Sequence, residues 1–148
     1  MTAIQNNDQY IGQLLVRDGV INDQELVRGL EEQKKNRDFL CANLVRLGFA
    51  TEEKIFSILS LQIGVPYISL KDVKIDLSVI KRVPGNFALG CKCLPLKESE
   101  GVFYIAMVDP LNVRAIEEIK GYLGVEKVKV FLAGDSELRG AISRYYGI

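Results

Sequence analysis

Residues 10–33 and 39–62 repeat one another at an offset of 29 positions, and this repeat restricts the first part of the chain to a stacked arrangement of helices. Leu15/Leu44, Val16/Val45, Arg17/Arg46, Gly19/Gly48, Leu30/Leu59 and Gln33/Gln62 are identical pairs. One copy is too short to bury its own apolar face, so two copies are expected to pack together and share a surface. Each copy reads as two helices around a glycine stop. A first helix over residues 8–17 should end at Gly19, whose freedom at positive φ suits a helix C-terminus. Asn22 then caps a second helix with Glu25 completing a capping box, while Thr51 keeps the cap in the second copy and Lys54 loses the box. Leu26, Leu30 and Gln33 fall on one stripe, as do Ile55, Leu59 and Gln62, and a glutamine on an apolar stripe needs hydrogen-bond partners.

After Gln62 the pattern changes. Residues 63–70 read as an extended connector, residues 76–83 as a short helix stopped by Pro84-Gly85, and residues 86–89 as a second short turn leading into Gly90. Residues 91–96 and 102–108, with a turn at 98–101, predict a β-hairpin. Asp109-Pro110 reads as an N-cap with proline at N1, opening a helix to about Leu123 with Ile116 and Ile119 inward. Residues 127–132 predict a third strand, and Asp135 or Ser136 caps a final helix ending near Gly147. The expected class is α+β in two parts: a helical subdomain of two tandem helix pairs, residues 1–68, and a small α/β subdomain, residues 69–148.

Composition excludes several functions. Nineteen basic and 19 acidic residues cancel, and the basic ones form no stripe, which argues against a nucleic-acid partner. The 148 residues include no apolar run long enough to span a bilayer and no signal-peptide pattern, so a cytoplasmic location without membrane insertion is expected. Three cysteines give no disulfide framework. Histidine is absent, which removes the commonest general base and metal ligand, and no P-loop pattern is present. Cys91-Lys-Cys93 reads as two strand cysteines on one sheet face rather than a metal half-site, so no metal is expected. Glu31-Glu32, Glu52-Glu53 and Glu117-Glu118 read as solvated helix carboxylates. No catalytic residue and no enzymatic activity are expected in this chain.

The paired arginines Arg17 and Arg46 suit either of two roles. They can be helix-end cations, or forks for phosphate oxygens or a guanine edge. Tyr10 and Phe39 pair likewise, as core rings or as a stacking or docking surface.

The repeats, written aromatic-Ile/Leu-Gly/Cys-x-x-Leu-Val-x-x-Gly followed by Leu/Ile-x-x-x-Leu-x-x-Gln, resemble the N-terminal domain of type II secretion and type IV pilus assembly ATPases. In particular they resemble the MshEN subfamily, whose tandem Arg-Leu-Gly-x-x-Leu-Val-x-x-Gly motif binds cyclic di-GMP. Residues 62–70, Leu94-Pro-Leu96, Ala106-Met-Val-Asp-Pro110 and Ile142-Ser-Arg-Tyr-Tyr-Gly147 are similar to that family's connector, hairpin, helix start and closing helix. The resemblance implies a docking and regulatory domain whose partners are the ATPase core of the same polypeptide, continuing past Ile148, and the cytoplasmic domain of an inner-membrane assembly protein that recruits it. It also implies cyclic di-GMP as a possible ligand, through Gly12, Leu15, Val16, Arg17, Gly19, Leu30, Gln33, Arg37, Leu44, Val45, Arg46, Gly48, Leu59 and Gln62. The family's motif arginine, however, falls on Tyr10 and Phe39, and its second glycine on Cys41. Losing two charge-assisted contacts of about 1.5–3 kcal/mol each would weaken nucleotide binding by orders of magnitude. Arg37, two residues before Phe39, could replace one of them.

Overall fold

The computed structural model describes the backbone of residues 3–148 and the side chains from Asp8 onward. The chain divides into two compact units, one ending at Gly64 and one beginning at Val65. Together they make a two-part α+β fold: among the described residues there are eight α-helices and one three-stranded sheet.

The first unit is wholly helical: α1 (Ala3–Arg17), α2 (Asp23–Asn36), α3 (Leu40–Arg46) and α4 (Glu52–Ile63). Helix α1 begins earlier than the expected Asp8, and Asp8 is a buried residue within it rather than a terminal one. Gly19 and Gly48 both end their helices at positive φ, 75° and 79°. Asn22 accepts from the Glu25 backbone while Glu25 accepts from the Asn22 backbone, and Thr51 accepts from Lys54 N–H, so the first copy has the box and the second only the cap. Leu15, Leu40, Leu44, Ile55, Phe56 and Leu59 are fully buried and form the core of the unit. Helix α2 reaches α3 closely because Gly29 has no side chain. A Cβ there would lie 2.7 Å from Leu44 Cδ2 and 3.0 Å from Leu40 Cδ1. Gly12 does the same for α1, where a Cβ would meet Leu26 Cδ1 at 2.4 Å.

The second unit opens with an extended segment, in which Tyr67 bridges Leu132, and a 3-10 turn, Leu70–Asp72. Helices α5 (Leu77–Ile80) and α6 (Gly85–Cys91) follow. Asp76 caps α5, which stops short of the expected Val83. Strands β1 (Cys93–Ser99) and β2 (Val102–Met107) pair antiparallel, with Cys93 opposite Met107. The hairpin turn is the two residues Glu100-Gly101, both at positive φ (52° and 80°), a geometry whose twist matches the flanking strands. The register slips between Pro95 and Lys97, and the carbonyl of Leu96 at this bulge accepts from Asp76 N–H at 2.7 Å. Helix α7 (Val113–Leu123) then crosses over to β3 (Val128–Leu132), which lies parallel to β2, and α8 (Asp135–Tyr146) closes the unit. Phe103, Ile105 and Met107 of β2 meet Ala115, Ile119 and Leu123 of α7 and Val79 of α5 in one core, with Ile116 packed at its margin. Helix α8 packs beside β1 and buries Leu138 and Ile142 completely.

Three local expectations are corrected. Cys91 ends α6 and Lys92 turns the chain through a left-handed conformation (φ 52°), so Cys91 and Cys93 do not share a strand face. The cap of α7 is Asn112, which accepts from Ala115 N–H at 3.1 Å. Asp109 instead accepts from Leu111 N–H at 3.0 Å in a turn that precedes the helix, because Asn112 competes for the cap three residues later. The cap of α8 is Gly134, since Asp135 is drawn into ion pairs with Lys92 and Arg139.

Candidate functional site

The tandem motif lies wholly in the first unit. Its apolar positions build the core there: Leu15, Leu44 and Leu59 are fully buried, Gly12 is buried, and Val16, Leu30 and Val45 are half-buried. Its polar positions are tied to other side chains of the unit. Arg17 Nη2 donates to Gln62 Oε1 at 2.7 Å, joining the arginine of the first copy to the terminal glutamine of the second. The symmetric pair, Arg46 with Gln33, does not form. Gln33 Nε2 donates instead to Asp8 Oδ2, within the first half of α1. Asp8 and Arg17 are nine residues apart on one helix, about 13 Å at 1.5 Å per residue, so the two glutamines meet α1 at well-separated points, one in its first half and one at its C-terminus.

Arg46 belongs to a third cluster at the α2–α3 turn. Its Nη2 lies 2.9 Å from Asp38 Oδ2, and its Nη1 donates to Asn43 Oδ1 at 2.9 Å. Asn43 is fully buried, and its amide also donates to Asn36 Oδ1 at 3.2 Å and to the Phe39 carbonyl at 3.3 Å. Asn36 returns a hydrogen bond to Asn43 Oδ1 at 2.7 Å. A buried amide with this many partners fixes the turn between the two copies, since leaving such a group unpaired costs about 1–3 kcal/mol. The sequence carried one signal for it: Asn43 stands where the first copy has Leu14, a polar residue in place of a core leucine.

At the two motif-arginine positions, Tyr10 is 51% exposed and Phe39, half-buried, is the residue preceding α3. Arg37, exposed, ends α2 in a left-handed conformation (φ 56°). Cys41 is buried within α3. Gly19 and Gly48 are exposed, with nothing within 4 Å of where a side chain would begin.

The second unit holds a separate buried charge cluster. Lys92 Nζ lies 3.1 Å from Asp135 Oδ1, and Arg139 Nε lies 2.9 Å from Asp135 Oδ2. Glu137 accepts from the Leu70 backbone and from Ser69 Oγ, pinning the start of α8 to the 3-10 turn. Asp109, 2% exposed, has an Oδ2 with no hydrogen-bond partner among the described residues. Burial holds its carboxyl above the usual carboxylate range, against the opposing pull of the Leu111 N–H. Burial likewise pushes up the thiols of Cys93 and, less deeply placed, Cys91. Tyr146 is pushed up to about 12 by burial, its hydroxyl donating to the Ile80 carbonyl at 3.0 Å. Among the described residues no three metal-ligating side chains gather, and no helix is long and apolar enough to cross a membrane.

Known proteins share this fold. The MshEN domain model matches residues 63–148. The type IV pilus assembly ATPase PilB of Myxococcus xanthus is 36% identical over 136 residues, which is 92% of this chain and 24% of that protein. PilB of Thermus thermophilus is 28% identical over 99% of this chain and 16% of its own length. The chain thus spans a quarter or less of the relatives it matches here. In fold it is similar to the structure of MshE with cdg, with a TM-score of 0.71 and 28% identity over 92% of this chain and 98% of that one. The N-terminal domain of XpsE has the same fold, with a TM-score of 0.69 and 19% identity over 97% of this chain and 96% of that one. A family model across more than half the chain, together with a relative alignable over nearly all of it, places the chain in the MshEN domain family, homologous to the N-terminal regions of type IV pilus assembly ATPases.

Proposed function

We propose that this chain is a non-enzymatic docking and regulatory domain of a type IV pilus or type II secretion assembly ATPase, attaching the motor to the cytoplasmic domain of an inner-membrane assembly component. Its location would be cytoplasmic, with recruitment to the inner membrane through that partner and an ATPase core on the same polypeptide. The observation that carries the reading is the state of the tandem motif. Its arginines and glutamines are held by Asp8, Gln62, Asp38 and Asn43, while aromatic rings stand at the two positions where the family reads a nucleotide with arginine. An aromatic ring can stack on a base but offers no charged, bidentate fork to a phosphate. The scaffold is kept with an exposed Tyr10 and a half-buried Phe39 at those positions, side chains that suit contact with a protein surface better than capture of a dianion. Interferometry of the purified chain against the cytoplasmic domains of the pilus and secretion membrane proteins from the same cell tests this. Saturable binding to one of them, weakened by Tyr10→Ala, supports the reading; no binding to any of them contradicts it.

The second reading is a cyclic di-GMP sensor for that motor. It is favoured by the likeness to MshE with cdg across nearly the whole chain and by the Arg17–Gln62 pair, a guanidinium and an amide side by side at an exposed helix end. In that reading Arg17, Arg37 and Arg46 exchange their present partners for phosphate oxygens.

A further inference from the structure

The outer edge of the three-stranded sheet is open over part of its length. Leu132 donates its N–H to the Pro66 carbonyl at 2.7 Å, and its carbonyl accepts from Ile68 N–H at 3.0 Å, so its backbone groups face away from β2. The two-residue period of a strand points the backbone groups of Val130 and Val128 the same way. Among the described residues no hydrogen bond reaches them on that side. The segment at 66–68, lying parallel to β3, therefore covers one end of this edge and leaves the other end as an unfilled continuation of the same ladder.

The side chains beside that edge carry a distinct chemistry. Tyr104 of β2 and Phe131 of β3 stand ring to ring at 5.4 Å. Lys129 Nζ lies 5.9 Å from the Tyr104 ring centre and 5.5 Å from that of Phe131, and Lys97 Nζ lies 5.3 Å from Tyr104. Neither ammonium has a carboxylate partner among the described residues, whereas Lys92 and Lys120 both do. Strand β3, Val-Lys-Val-Phe-Leu, contains no acidic residue. The edge thus offers backbone donors and acceptors with the Phe131 ring and the uncompensated Lys129 ammonium beside them, while Tyr104 on β2 and Lys97 on β1 stand farther in and add to the positive, aromatic character of the sheet.

We infer that the open edge of β3 at Val128–Val130 is a docking site for an extended acidic segment of another protein, which adds as a further strand and sets a carboxylate against Lys129 beside Phe131. Strand addition supplies affinity through main-chain hydrogen bonds, and the alternate side chains supply selectivity. The charge complementarity is what selects an acidic occupant, because a neutral or basic strand would leave Lys129 unmatched and would meet the positive field to which Lys97, two strands in, also contributes. The same lysines would otherwise serve only to keep copies of this chain from pairing edge to edge. The inference goes beyond the docking reading above and holds whether or not the tandem motif binds a nucleotide.

The test is fluorescence anisotropy of the whole chain with a fluorescein-labelled peptide alternating glutamate and valine. Controls are the lysine–valine peptide, a glutamate–valine peptide N-methylated at alternate amides, and vesicles of phosphatidylglycerol with phosphatidylcholine. Amide chemical-shift mapping accompanies it. The expected result is saturable binding of the acidic peptide, with shifts at Val128, Lys129, Val130 and Phe131. Binding should weaken by about tenfold or more with Lys97→Glu plus Lys129→Glu, with raised salt and with N-methylation. No binding, shifts elsewhere, indifference to N-methylation, or capture of the vesicles in place of the peptide would overturn it. The N-methylated peptide keeps the test decisive even if the double lysine variant does not fold.

Discussion

Gly29 is the position where the packing account is most exposed to refutation. In a free helix, alanine in its place would gain about 0.8–1 kcal/mol from propensity. In this structure the new methyl would stand 2.7 Å from Leu44 Cδ2, 3.0 Å from Leu40 Cδ1 and 3.4 Å from Leu44 Cγ. Both leucines are fully buried, so neither can swing into solvent, and α2 must move off α3. Overpacking of this kind costs about 1–3 kcal/mol, which leaves Gly29→Ala destabilising by about 1 kcal/mol once the propensity gain is subtracted. Gly140 supplies the contrast. It lies within α8, exposed, with nothing within 4 Å of its missing Cβ, so Gly140→Ala keeps the gain of about 0.5–1 kcal/mol without a clash. The assay is urea denaturation followed by far-UV circular dichroism, with amide exchange reporting each unit separately. Leu44→Val should relieve part of the Gly29→Ala penalty, so the double variant should lose less than the sum of the two. A Gly29→Ala protein more stable than the parent by the full propensity gain would show that α2 and α3 do not approach as described.

Other expectations follow from the second unit and from exposed pairs. Asp109, with its folded pKa raised by burial, favours the protonated fold; its stability is full below the unfolded pKa and lost as pH rises through the folded one. Asp109→Asn should therefore stabilise the chain at neutral pH by about 1 kcal/mol or more and by much less near pH 3, as read by urea melts at both pH values. The Cys93 thiol, deeply buried, and the Cys91 thiol, partly so, should react with iodoacetamide far more slowly at pH 8 than free cysteine, with Cys93 labelled only on unfolding; fast native labelling of Cys93 would contradict its placement. Arg17→Ala should change stability by less than about 1 kcal/mol, because the pair it makes with Gln62 is exposed, and a larger loss would assign Arg17 a structural role the geometry does not give it.

The repeat made the first unit legible. Glycine stops, the Asn22–Glu25 box and the Thr51 cap are local signals, and each formed where its residues stood, because nothing non-local competes with them. Signals that depend on a distant partner were not legible. Gly29 reads as an ordinary helix defect until Leu40 and Leu44 are placed against it. Asp109-Pro110 has the local form of a helix start, but Asn112 is better placed for the cap and Asp109 closes a preceding turn. Cys91-Lys-Cys93 looked like strand alternation because a left-handed lysine at position 92 is not a residue-type signal. In the candidate site, the repeat identified which residues correspond but not which ones meet. Correspondence would pair each arginine in the same way, whereas Asn43 in place of a leucine captures Arg46 and leaves only Arg17 for a glutamine.

The central claim is that the tandem motif has kept its scaffold and lost its nucleotide-reading arginines. Isothermal titration of cyclic di-GMP into the purified chain, beside its Tyr10→Arg plus Phe39→Arg variant, with cyclic di-AMP and GTP as controls, tests it most directly. The account predicts no saturable heat for the parent and selective binding for the variant. Selective binding to the parent at micromolar concentration or better would contradict it and make the chain a sensor that reads cyclic di-GMP through Arg17, Arg37 or Arg46.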